Sequence, residues 1–132
     1  MKGKSKKLKI LLKFYFNAGT LNGWMDRLIE YGACRVEGES FERVTGLIED
    51  KRKLCNLMNY LEGRFERLTK RDRATLEKYS LLKVGIKRLE AEERREIKRA
   101  VMKFARRLTY IEQYKEELKT LQKYRAIVAG IA

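Results

Sequence analysis

The 132-residue chain contains no proline and no histidine. Proline breaks helix interiors, so its absence permits long uninterrupted helices. Histidine is the commonest general base and a frequent metal ligand, and a chain without it is a poor candidate for most enzymes. Glycine-rich phosphate loops and the usual hydrolase signatures are absent from the sequence as well. We therefore expect no catalytic residue, no metal ligand and no bound cofactor.

Cysteine is also scarce, since the chain has only Cys34 and Cys55. They belong to no Cys-x-x-Cys pair and match no zinc site. Both lie beside apolar helical positions, so we expect small buried packing residues rather than a disulfide. Lys13 interrupts the early apolar run that could resemble a signal peptide, and the apolar segment 126–132 is too short to cross a bilayer. We expect a cytoplasmic protein.

Length and periodicity predict a single all-α domain over residues 1–132. Domains usually contain ~100–200 residues, and 44% hydrophobic residues are enough for one core. Apolar residues recur at helical spacing along most of the chain. The segment 6–16 fits helical spacing and strand alternation equally well, and we assign a helix because no second strand is available for pairing. We predict a bundle of four to six helices, with two long helices packed antiparallel.

A heptad seam marks the third predicted helix, which runs from about Ser40 to Arg67. Its members are spaced alternately four and three positions apart. They are apolar except for one lysine: Leu47, Lys51, Leu54, Met58, Leu61, Phe65 and Leu68. Before this helix, Gly19 is expected to end the first helix in the left-handed conformation, and Thr20 to cap the second.

Two further signals place the helices of the C-terminal half. Thr69 and Asp72 have the spacing of a capping box, which predicts the start of a short helix. Gly85 predicts a break after it, followed by a brief turn. From about Ala91, apolar residues continue at helical spacing to Val128, so we predict one long final helix.

Positive charge is concentrated in two segments of the chain. The net charge is +14, and residues 1–13 contribute six lysines and no acidic residue, whereas residues 70–107 carry +8 and residues 14–69 carry −1. We call residues 1–7 the lysine arm and expect it to be flexible. It can bind DNA or RNA through Lys4, Lys6 and Lys7, lie on an anionic membrane, or serve only as a solubilising terminus. Excess positive charge of this kind is typical of proteins that bind polyanions.

A helical wheel separates an apolar stripe of the final helix from a basic face. The stripe contains Ile97, Val101, Phe104 and Leu108. The basic face, as we use the term below, contains Arg95, Lys98, Arg99, Lys103, Arg106 and Arg107. A helix that packs through one side and offers arginines on the other can contact phosphates while it stays docked. The alternative is a solvated surface with nearby glutamates as partners, and the net charge of +8 favours polyanion binding.

The stretch 68–79 resembles the opening of region 4 of bacterial sigma factors and of phage late-transcription regulators of the ArpU and RinA type. Leu68, Arg73 and Leu76 match that opening, and the segment 96–108 resembles the recognition helix with its basic tail. The resemblance implies a helix-turn-helix domain that binds DNA rather than RNA. It implies DNA-facing roles for Lys98, Arg99, Lys103 and Arg106. The helix-turn-helix would be degenerate, because segment 86–95 lacks the alanine and the turn glycine.

These observations predict a small basic helical nucleic-acid-binding protein. The resemblance narrows this to a DNA-binding transcriptional regulator or accessory factor of a bacterium or its phage. The alternative is a helical protein–protein interaction module without nucleic-acid binding. Such a module would form a homodimer along the seam from Leu47 to Leu68 or through the apolar C-terminal tail. A membrane partner is not expected.

Overall fold

The computed structural model describes residues 2–33, 38–82 and 85–130. The helices of these ranges are α1 (Lys2–Phe16), α2 (Ala18–Ala33), α3 (Gly38–Phe65), α4 (Lys70–Leu81), α5 (Ala91–Arg107), α6 (Lys115–Lys123) and α7 (Arg125–Gly130). Two short 3-10 helices lie at Ile86–Arg88 and Ile111–Tyr114. The described residues include no strand, so the all-α prediction is confirmed. The helical assignment of segment 6–16 is confirmed with it.

The helices pack into two connected groups. In one group α3 contacts α2 and α6, and in the other α4 lies between α1 and α5. The Asp50–Tyr124 and Tyr60–Tyr114 contacts show that α3 and α6 run antiparallel. The predicted antiparallel partner of α3 was one long final helix, and the structure gives this role to α6.

The core is continuous through both groups, and Phe65 lies at its centre. The Phe65 ring stacks on Tyr15 with ring centroids 3.9 Å apart, and it also contacts Phe16 and Phe104. These rings connect α1, α3 and α5. Aromatic pairs such as Phe65 with Phe16 and with Phe104, whose centroids are 5.5 and 4.9 Å apart, stabilise a core beyond their buried area.

The predicted seam forms part of this core. Leu54, Leu61 and Phe65 are fully buried within the chain itself. Lys51, the polar member of the seam, is half-buried and forms an ion pair with Asp26 of α2. A homodimer along the seam would therefore require α2 and α6 to leave it. In the apolar C-terminal tail, Val128 is likewise buried in the core of its own chain, so this side chain is not exposed for a dimer contact.

The junction between α1 and α2 differs from the prediction. Asn17 forms it alone, because its amide and its side-chain nitrogen each lie 3.0 Å from the Lys13 carbonyl oxygen. The Asn17 carbonyl accepts hydrogen bonds from Thr20 and Leu21. Gly19 is consequently helical, and no described glycine has a positive φ. The predictions of a left-handed Gly19 and of a Thr20 cap were wrong.

The long final helix was also a wrong prediction. Helix α5 ends at Arg107, and Tyr110 has a left-handed backbone with φ 65°. The Tyr60 hydroxyl donates a hydrogen bond of 2.5 Å to the Thr109 carbonyl at this point. The helix is interrupted here, and helices α6 and α7 follow. The apolar periodicity continues across the interruption because both Leu108 and Ile111 pack against the core.

The remaining boundaries agree more closely with the sequence. Helix α3 begins and ends within two residues of the predicted positions. Thr69 caps α4 by accepting a hydrogen bond from the Asp72 amide, as the capping box predicted. Gly85 precedes a brief 3-10 turn.

The lysine arm and the cysteines differ from expectation. Helix α1 begins at Lys2, so residues 2–7 of the lysine arm form its first turns rather than a flexible segment. This agrees with the high helix propensity of lysine. Cys55 is a free and exposed thiol, so its predicted burial was wrong. Leu54 takes the buried position, and the next residue turns to the outer side of α3. Cys34 lies outside the described residues. None of the described helices is long and apolar enough to span a membrane.

Candidate nucleic-acid interface

The two positively charged segments of the sequence come together in the fold. Helix α4 packs against α1 on one side and α5 on the other. Helix α1 carries six lysines and no acid, α4 carries four basic and two acidic residues, and α5 carries seven basic and three acidic residues. By contrast, α2, α3 and α6 have net charges of −1, 0 and +1. We call α1, α4 and α5 the basic group.

Helix α5 presents its basic face on the side away from the core. Ile97, Ala100 and Phe104 are buried and dock the helix against the rest of the bundle. The exposed members of the basic face are Arg95, Lys98, Arg99, Lys103 and Arg106. Arg107 is only half-buried, at the end of the helix. The predicted orientation of the apolar stripe and the basic face is therefore the orientation observed.

Lys103 belongs to an ion pair that holds α5 against α4. Its Nζ lies 3.1 Å from an Asp72 carboxylate oxygen, and the Asp72 side chain is only 5% exposed. Burial alone raises the pKa of Asp72, but the hydrogen bonds from Lys103 and Thr69, together with the charges of Lys103 and Arg99, outweigh it and lower that pKa. The resemblance assigned Lys103 a DNA-facing role, whereas the structure shows its side chain in an ion pair with Asp72 of the same chain.

A second ion pair joins the same two helices closer to the start of α5. Arg71 of α4 pairs with Glu96 of α5. The hydrogen bond from Arg71, together with its charge, lowers the pKa of the Glu96 carboxyl. Arg71 was not among the predicted site residues. Arg71 is one of the basic residues counted in the net charge of +8 for residues 70–107. The spacing of residues within α4 could not show, however, that α4 borders the basic face.

Part of the basic face forms no salt bridge with the described residues. Within the described ranges, Lys98, Arg99 and Arg106 belong to no salt bridge. Arg95 makes one weak contact, in which its Nε lies 3.4 Å from the Ala91 carbonyl oxygen of its own helix. These four side chains are therefore available to an external anion.

The lysines of α1 divide into two sets. Lys4, Lys6 and Lys7 lie in the first turns of α1, and their side chains are outside the described part of the structure. Lys9 is instead an internal residue, because its Nζ donates a 2.6 Å hydrogen bond to the Leu82 carbonyl at the end of α4. Burial and the neighbouring Lys13 lower the pKa of Lys9. Lys9 therefore fastens α1 to α4.

The connection between α4 and α5 is longer than the turn of a standard helix-turn-helix. It covers residues 82–90 and includes the 3-10 helix Ile86–Arg88. The turn in helix-turn-helix motifs usually has about 3–4 residues. Helix α5 corresponds to the recognition helix that the resemblance assigned, and the resemblance itself stays a prediction.

Comparison with known proteins gives no indication of this protein's function, so a functional hypothesis depends on the geometry and charge of the chain itself. No family model matches the chain, and no curated protein and no solved structure shows a significant similarity to it. Among the described side chains, no group of three or more cysteine, aspartate or glutamate residues is arranged to hold a metal ion.

Proposed function

We propose that this protein binds nucleic acid through the basic face of α5, with the lysines of α1 adding charge from the same group of helices. The proposal follows the expectation of a DNA-binding transcriptional regulator or accessory factor. The observation that carries it is the exposure of Lys98, Arg99 and Arg106 on a helix whose opposite side is buried, with none of the three in a salt bridge among the described residues. Neutralisation of phosphates by such residues releases counterions and supplies affinity.

The length of the arginine row suits a phosphate backbone. With a helical rise of about 1.5 Å per residue, Arg95 and Arg106 are about 16 Å apart along the axis of α5. Duplex DNA carries one charge per ~3.4 Å of axis on each strand, so arginines along this row can reach different phosphates. The docked apolar side keeps the row in one orientation, which lowers the entropy lost on binding.

A triple substitution of Arg95, Arg99 and Arg106 by glutamine tests this proposal. It should weaken binding to duplex DNA and reduce the slope of log affinity against log salt by about 0.9 for each lost phosphate contact. Fluorescence anisotropy at several salt concentrations measures both quantities. Stability should change little, because exposed charges typically contribute within about 0.5 kcal/mol each.

The matched control removes the same charge from outside the basic group. Arg27→Gln, Arg43→Gln and Lys115→Gln together change exposed residues of α2, α3 and α6. This control should keep the affinity and most of the salt slope of the parent. If the two triple variants lose affinity equally, net charge alone governs binding. If neither differs from the parent, the basic face is a solvated surface and the proposal is wrong.

The regulatory role requires sequence preference in addition to charge. Selection of bound duplexes from a random pool should enrich a common sequence if α5 reads base edges in the major groove. Recovery of an unenriched pool would contradict the role of a sequence-specific regulator, while a salt-dependent affinity would still support nucleic-acid binding.

We also propose a cytoplasmic location, which the free and exposed thiol of Cys55 supports because unpaired thiols persist in reducing compartments. A membrane-impermeant maleimide should label Cys55 only after cells are lysed. Labelling in intact cells would contradict the location.

A further inference from the structure

Tyr110 has an unusual backbone and an unusual exposure for a tyrosine. Within the described ranges it is the only residue other than glycine with a positive φ, at 65°. Its side chain is 70% exposed, the largest value among the exposed large hydrophobic residues. Left-handed backbone is sterically unfavourable for a residue with a Cβ, and strained residues of this kind cluster at functional sites.

The backbone on both sides of Tyr110 is held firmly. The Tyr60 hydroxyl donates to the Thr109 carbonyl, and the Gln113 amide donates a 3.0 Å hydrogen bond to the Tyr110 carbonyl. Tyr60 is itself buried and packs against Tyr114 with ring centroids 4.7 Å apart. The segment that carries Tyr110 is therefore fixed to α3 on one side and to the 3-10 turn on the other.

The Tyr110 ring itself contributes no contact of this kind. Among the described residues it takes part in no side-chain hydrogen bond, ring pair or cation–π contact. The break between α5 and the following 3-10 helix has a left-handed residue at position 110, and glycine would adopt that conformation without steric cost. The backbone of Tyr110 therefore contributes to the fold, whereas its ring makes none of these contacts with the described residues.

Tyr110 follows the basic face directly in the sequence. It comes after Arg106 and Arg107, two residues beyond Leu108, the C-cap of α5. The arginine row also includes an exposed apolar side chain, because Met102 lies between Arg99 and Arg106 on the same side of α5 and is 55% exposed. One exposed apolar side chain therefore lies within the arginine row, and an exposed aromatic residue follows the row in the chain.

We propose that Tyr110 stacks on an unpaired nucleotide base while the basic face holds the adjoining phosphate backbone. This inference rests on the proposed function and names the substrate class of the same site, which is a nucleic acid with single-stranded nucleotides. Every base has a π face, and stacking on an aromatic side chain is the usual way in which proteins hold unpaired bases. Within a duplex the bases are covered by their neighbours, so a blunt duplex offers the Tyr110 ring a free base face only at its two ends.

The experiment compares three ligands of equal length and sequence: single-stranded DNA, single-stranded RNA and blunt duplex DNA. The informative variants are Tyr110→Gly and Tyr110→Asn, since both residues accept the left-handed backbone and neither has an aromatic ring. Tyr110→Phe is the matched control, because it keeps the ring and removes only the hydroxyl. Removal of one stacking side chain typically weakens single-strand binding about 5- to 150-fold.

We expect Tyr110→Gly and Tyr110→Asn to lose affinity for DNA or RNA single strands by that factor, and Tyr110→Phe to keep it. Duplex affinity should not change in any of the three. The melting temperature of Tyr110→Gly should equal or exceed that of the parent, because glycine relieves the steric strain. Loss of binding together with unchanged or higher stability separates a binding role of the ring from a structural one.

Three results would overturn the inference. One is equal single-strand affinity of Tyr110→Gly and the parent. Another is an equal loss for single strand and duplex, which would show that Tyr110 only positions α5. In both cases a lower affinity of the triple arginine variant would leave the proposed function standing. The third is a parent protein that binds none of the three ligands, which removes the proposed function as well.

Discussion

Replacement of Asp72 by asparagine should destabilise the protein in a pH-dependent manner. The carboxylate lies in the first turn of α4 and is almost fully buried, and it accepts a hydrogen bond from Lys103 of α5. Asparagine has nearly the same shape, and its amide oxygen can still accept from Lys103. The substitution therefore removes the negative charge and little else.

The expected loss in the free energy of unfolding follows from two contributions. The ion pair is half-exposed, since Lys103 is 45% exposed, so its value is closer to that of a surface pair, up to about 1 kcal/mol. A negative charge at a helix N-terminus stabilises by about 0.3–1 kcal/mol. The sum predicts a loss of about 0.3–2 kcal/mol at pH 7.

Urea unfolding of the parent, Asp72→Asn, Lys103→Gln and the double variant measures this loss and the coupling between the two side chains. The pKa of Asp72 is lowered below its ordinary value of 3.8 in the folded protein. The charged form therefore stabilises the fold above pH 3.8, and this contribution disappears as the pH falls through the lower folded value. The stability difference between parent and Asp72→Asn should shrink accordingly in acid.

Lys98→Gln provides the control, because it removes an exposed charge of α5 that has no described ion-pair partner. It should change stability by less than about 0.5 kcal/mol. A coupling energy of zero, or a loss in Asp72→Asn that is the same at pH 3 and pH 7, would refute the reasoning. Because Lys103 is already engaged with Asp72, the Asp72→Asn variant should bind nucleic acid no more weakly than the parent.

Three other substitutions test the packing and the caps. Phe104→Ala should cost about 3–5 kcal/mol in urea unfolding because the ring is fully buried, whereas Met102→Ala on the exposed side should stay within about 0.5 kcal/mol. Thr69→Ala removes the cap of α4 and should cost about 1 kcal/mol by the same measurement. Tyr124→Phe removes a 2.6 Å hydrogen bond to Asp50 and should cost about 1.5–3 kcal/mol. Burial and Asp50 raise the pKa of Tyr124, so this stabilisation is present below pH 10 and should disappear in more alkaline solution, as a thermal-melt series across pH can show.

The parts of the fold that depend on local spacing could be predicted from the sequence. The seam residues Leu54 and Leu61 are buried as their heptad spacing indicated. Thr69 caps α4 because the hydroxyl of an N-cap residue can reach the unpaired amide three residues later. The apolar stripe of α5 also fixed which side of that helix would be exposed.

The parts that depend on distant residues could not be predicted. The sequence around Tyr110 contains no glycine or proline that would predict a break in the helix. The break is stabilised instead by the hydrogen bond from Tyr60, which precedes Tyr110 by about fifty positions. The internal role of Lys103 required knowledge that Asp72 lies beside it across the α4–α5 contact. Charge counting located the two basic segments, and only the packing of α1 and α5 on α4 brought them together.

The packing of α1 has a consequence for the way the chain acquires its structure during synthesis. Helix α1 is synthesised before α2–α7, but its main contacts are with α4 and α7, and the Lys9–Leu82 hydrogen bond joins residues 73 positions apart. Contacts of such high sequence separation slow folding, because the intervening loop must close before they form. Until the ribosome has synthesised α4 and α7, the apolar side of α1 therefore lacks the helices that it contacts in the final fold. An early stop before α4 removes both main neighbours of α1, so it should leave part of the apolar side of α1 uncovered and the product prone to association.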